Sequence, residues 1–136
     1  MDYRTAIAVF ESGSNVRIDH CQQMCSQGKF YICHLEERQF KSDPALRAAF
    51  LTGQNCISVP NQSIMQQCIN ISTNPISKRL LKGEAGQIAI YLTATAACRD
   101  FGVISDHSSP YFATAADLCD HFGIPNYTAD GYFALI

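Results

Sequence analysis

Apolar residues fall along this chain in short bursts separated by polar punctuation. Residues 5–10 (TAIAVF) form a continuous β-prone run bounded by Glu11-Ser-Gly-Ser, which predicts a first buried strand. Ser14 or Asn15 offers a cap for a helix reaching about Gln27, with Ile18, Cys21 and Cys25 on one face and Gly28 as its stop. Residues 29–33 (KFYIC) read as a second strand. Asp43-Pro44 then supplies a cap and a first-turn proline for a helix carrying Leu46, Ala49 and Phe50, closed by Gly53. Residues 56–59 (CISV) read as another short strand.

The second half repeats the alternation. Asn61 opens a helix with Ile64, Met65, Cys68 and Ile69 directed inward, and residues 72–82 are a polar loop containing Asn74-Pro75. After Gly83-Glu84, residues Ala85, Ile88, Ala89, Leu92 and Ala96 recur at helical spacing, the clearest periodicity in the chain. Val103 and Ile104 read as a strand. Residues 111–122 read as a helix with Phe112, Ala115, Ala116 and Cys119 on its inner side, stopped by Gly123-Ile124-Pro125 ahead of a last strand near Tyr127. Strands alternating with helices predict an α/β fold: a central parallel sheet of four or five strands covered by helices on both faces. The length of 136 residues predicts one domain spanning 1–136.

Composition sharpens the picture modestly. Hydrophobic residues make up 47% and charged residues 16%, which fits a chain with a packed core and not a disordered one. A formal net charge of −2 gives no global basic field for nucleic acid, although a local patch is compatible with it. Seven cysteines are scattered with no CxxC, mostly at apolar positions, and read as reduced thiols of a cytoplasmic protein. No apolar run approaches the ~18 residues a membrane helix needs, and the start lacks the marks of a signal peptide.

The candidate chemistry is acidic. Glu11 follows the first expected strand, Asp106 follows the strand at Val103 and Ile104, and Glu84 opens the periodic helix one turn from Ile88. Glu36 and Glu37 lie just beyond the second expected strand. Strand ends of a parallel sheet share one edge, so these carboxylates would meet in a crevice and repel unless a cation joined them. Mg²⁺ or Mn²⁺ suits such oxygen ligands and would activate water against a phosphodiester. The local alternatives are a helix cap for Asp106, a dipole-favoured first-turn position for Glu84, and solvated loops for the others. Lys78, Arg79 and Lys82 form a small basic cluster before Glu84, placed to touch a phosphate backbone or to face solvent. His20, Cys21, Cys25, Cys33 and His34 match no common structural zinc spacing, and no cysteine lies in a nucleophile turn.

The stretches GEAGQIAIYLTA (83–94), VISD (103–106) and ATAADLCDHFGIP (113–125) resemble the PIN domain, a metal-dependent nuclease fold. The resemblance covers about a third of the chain and implies a three-layer sandwich. It implies a Mg²⁺- or Mn²⁺-dependent endoribonuclease, with Glu11, Glu84 and Asp106 catalytic and Glu36 or Glu37 completing the metal set. Single-stranded RNA as substrate and a toxin role with a protein inhibitor, or antitoxin, follow from the same resemblance. The alternative is a catalytically inactive module of that fold, acting through a protein partner or through weak nucleic-acid binding. The apolar ending YFALI packs on the core or on a second copy in a homodimer.

Overall fold

The computed structural model describes residues 1–50, 57–58 and 60–136, with the backbone alone described at Phe50, Ile57 and Ser58. The chain divides into two compact units, Met1–Val59 and Pro60–Ile136. Helices dominate both. The strands among the described residues are two residues long and form two separate two-stranded parallel sheets. The expected central sheet of four or five strands with helical layers is therefore incorrect, and with it the three-layer PIN-like sandwich.

In the first unit, α1 (Tyr3–Glu11) occupies the run expected to be the first strand. Its start is fixed by Asp2, whose Oδ1 accepts a hydrogen bond from Thr5 N at 2.8 Å. Thr5, Ala6 and Val9 are buried, which is one helical face and not an alternating one. Thr5 and the five apolar residues behind it do not by themselves separate a strand from a buried helical segment, and here the cap and the alanines decide. α2 (Asn15–Ser26) follows as expected, capped by Ser14 and burying Cys21 and Cys25. It ends where Gly28, at φ +68°, lets Lys29 N reach back to Met24 O at 2.9 Å.

β1 is only Ile32–Cys33 and pairs parallel with β2, Ile57–Ser58, with Ile32 opposite Ile57. Of the strand expected at residues 56–59, the outer two lie outside the described residues, as does Gly53. A 3₁₀ turn (His34–Glu36) leads into α3 (Glu37–Ser42), a helix with no periodic apolar signal to announce it. Its anchor is Phe40, fully buried, whose ring meets the Tyr3 ring edge-on at 5.3 Å. α4 (Pro44–Phe50) starts as expected, with Asp43 Oδ1 accepting from Ala45 N and Leu46 N.

In the second unit, α5 (Gln62–Ser72) is capped by Asn61, whose Oδ1 accepts from Ile64 N at 2.8 Å. Ile64, Cys68 and Ile71 are buried, whereas Met65 and Ile69, expected inward, are exposed. The expected polar loop contains a 3₁₀ turn, Pro75–Arg79. α6 (Glu84–Arg99) packs on α5 and buries Ala89, Leu92 and Ala96. β3 (Val103–Ile104) pairs parallel with β4 (Asn126–Tyr127), and α7 (Ala115–Phe122) is the connection between them. α8 (Ala129–Phe133) takes in the first two residues of the YFALI segment, and Leu135 and Ile136 are exposed. No helix among the described residues is long and apolar enough to cross a membrane.

Candidate nucleic-acid interface

The five acids occupy five different local settings. In the first unit, Glu11 is exposed at the last position of α1. Glu36 is buried and stands at the other end of that helix, where both of its carboxylate oxygens accept from Tyr3 N at 3.2 Å. Eight residues of α-helical rise separate these ends by about 12 Å. Glu37, half-buried, forms an i,i+4 ion pair with Lys41 at 2.8 Å.

In the second unit, Glu84 is exposed at the first position of α6 rather than turned toward its packed side. Asp106 is exposed just past β3, and its Oδ1 accepts from Ala129 N, the first residue of α8, at 2.7 Å. The carboxylate does cap a helix, but one that begins 23 residues later and not the next in sequence. Among the described residues, no group of three or more His, Cys, Asp and Glu side chains comes together in a way that could hold a metal ion.

The cysteines follow their apolar positions. Cys21, Cys25, Cys33, Cys68 and Cys119 are buried free thiols, and Cys98 is exposed. Burial pushes the thiols of Cys21 and Cys33 up to about 12 and that of Cys119 up to about 11. A thiol held protonated this firmly is neither a nucleophile nor a ready metal ligand. Cys56 lies outside the described residues.

The basic cluster has a more specific setting. Asn74 caps the 3₁₀ turn by accepting from Ile76 N at 3.1 Å, and Ser77 donates its hydroxyl to Ile71 O. This leaves Lys78 and Arg79 exposed on the last turn. Leu80 then turns inward and forms an isolated parallel bridge with Ala113, where Ala113 N donates to Arg79 O at 2.7 Å. Leu80 and Ala113 are buried at the bridge, whereas Arg79, Leu81 and Phe112 beside them are exposed. Exposed Lys82 continues the same segment. Gly86 allows the close approach: a side chain there would run into the backbone carbonyl of Leu81.

Across the bridge, Ser109 Oγ accepts from Tyr111 N at 3.2 Å and from Phe112 N at 3.1 Å, fixing a tight turn. That turn projects Tyr111, 84% exposed, and Phe112, 44% exposed. Both were expected inside a helix over 111–122. The helix instead starts at Ala115, because Thr114 and Asp117 form a capping box in which Thr114 N donates to Asp117 Oδ2 at 2.8 Å. The Thr-x-x-Asp spacing was the signal in the sequence that could have released Tyr111 and Phe112 from the helix. The bridge thus brings the exposed Lys78–Arg79 end of the 3₁₀ turn alongside the turn that carries exposed Tyr111 and Phe112. Glu84 is the nearest acid in sequence, and Asp117 is engaged in the cap.

Compared with protein-family models, with curated proteins and with solved structures, the chain finds no match in any of the three.

Proposed function

We propose that this chain is a binding module that holds single-stranded RNA weakly, and without cleaving it, through Lys78, Arg79 and Lys82. The observation that carries this reading is the placement of three exposed cations within five residues, two on the last turn of the 3₁₀ helix and one just past the Leu80–Ala113 bridge. Phosphate contacts from lysine and arginine supply sequence-independent affinity that weakens steeply with salt. Three cations on a chain of net charge −2 support modest affinity only. Binding without hydrolysis is favoured over metal-assisted cleavage because Asp106, Glu36 and Glu37 already have protein partners.

Fluorescence anisotropy of the full chain with a labelled 15-nucleotide oligouridine, across a series of salt concentrations, tests the reading. Binding should weaken with salt, and changing Lys78, Arg79 and Lys82 together to Gln should flatten the log–log slope by about 2, at roughly 0.7 per phosphate contact on a single strand. A slope unchanged by the triple variant overturns it. So does RNA cleavage in Mn²⁺ that Asp106→Asn abolishes, which would instead restore the metal-dependent endoribonuclease.

A further inference from the structure

We infer that Tyr111 and Phe112 form a stacking platform for unpaired bases beside the basic segment; this rests on the RNA-binding reading above and extends it to the bases. The local hydrogen bonds account for the exposure of this aromatic pair. Ser109 accepts from both backbone amides of the pair, and the Thr114–Asp117 box ends the turn before α7 begins. The rings are therefore carried on a turn whose backbone amides are hydrogen-bonded. The neighbour across the bridge is Arg79, whose carbonyl accepts from Ala113 N, next in sequence to Phe112. A phosphodiester strand followed by Lys78, Arg79 and Lys82 would bring its bases over these rings. Charge beside π-faces suits single-stranded nucleic acid, since every base offers a face to stack and stacking needs no particular sequence. A duplex, with its bases already stacked on one another, could use the cations alone.

The test separates bases from backbone. The probes are the labelled 15-nucleotide oligouridine and an otherwise identical strand with abasic sites throughout. Tyr111→Ala and Phe112→Ala should each weaken binding of the oligouridine about tenfold. Both should leave its salt slope and the binding of the abasic strand unchanged. Tyr111→Phe, which keeps the ring, should bind like the unaltered protein. The chain contains no tryptophan, so Tyr111→Trp adds a single reporter whose emission should be quenched by the oligouridine and not by the abasic strand. If the unaltered protein binds both strands equally, or if the alanine variants keep full affinity, the platform is overturned while the phosphate-contact reading stands. If the unaltered protein binds neither strand, both fall together.

Discussion

Asp106 and Ala129 are joined by a 2.7 Å hydrogen bond from the Ala129 amide to the Asp106 carboxylate, tying the end of β3 to the start of α8. The bond satisfies an N-terminal helix amide that would otherwise have no partner within its own helix. Asp106→Ala should therefore destabilise the second unit by about 1 kcal/mol, the usual loss for a removed cap, whereas Asp106→Asn retains an acceptor and should lose less. Urea unfolding followed by circular dichroism checks the order; equal losses for both variants would mean that the negative charge, and not the acceptor, matters.

Gly86 should behave against the ordinary helix rule. Gly→Ala in a helix interior normally stabilises by about 1 kcal/mol. At Gly86 the added methyl would meet the Leu81 carbonyl oxygen, part of the backbone and unable to swing aside. Gly86→Ala should lower the midpoint of thermal unfolding. It should also weaken oligouridine binding, since Leu81 and Lys82 would be pushed outward.

Glu36 should act as a structural acceptor. Both oxygens of buried Glu36 serve Tyr3 N through part-buried hydrogen bonds. Glu36→Ala strips that acceptor and should cost about 1 kcal/mol, the usual net worth of a hydrogen bond whose donor is part-buried. Glu36→Gln keeps one carbonyl oxygen and should recover part of the loss. Denaturant titrations of the two variants decide.

The thiols should divide by exposure. Among the described thiols of the folded protein, Cys98 should react first with a thiol reagent at pH 8, while Cys21, Cys33 and Cys119, raised to about 11–12 by burial, should wait for unfolding. Mass spectrometry of the modified peptides reads the sequence of events. The same shifts fix a direction with pH. Between about 9, where these thiols ionise in the unfolded chain, and about 12, the unfolded state sheds protons that the folded state keeps, so stability falls as pH rises through that window.

Legibility of the fold from sequence tracked length and capping. α6 was readable because five apolar positions repeat at helical spacing behind a Gly-Glu start. α4 and α5 were readable from Asp43-Pro44 and Asn61, whose side chains do cap. The run at residues 5–10 was not, because a threonine and five apolar residues satisfy a strand and a helix equally, and the Asp2 cap accepting from Thr5 N, with the two alanines, decides between them. α3 was hidden because one residue, Phe40, carries its entire buried face. Met65 and Ile69 show the limit of periodicity: the α5 stripe could be drawn one residue off, and burial passes through Ile71 instead. For the candidate interface, Lys78, Arg79 and Lys82 stood out as a cluster. Tyr111 and Phe112 were lost to a helix drawn four residues too early.

The two-rung ladders carry a consequence for how the second unit keeps its alignment. Val103 meets Asn126 and Ile104 meets Tyr127, and there the pairing stops. So short a zipper cannot choose its own partners. The choice is made by α7, clamped at its head by Thr114 and Asp117 and at its tail by the turn that returns Ile124 N to Cys119 O at 2.8 Å. The strands meet where the helix between them delivers its exit, and the sheet is downstream of that delivery.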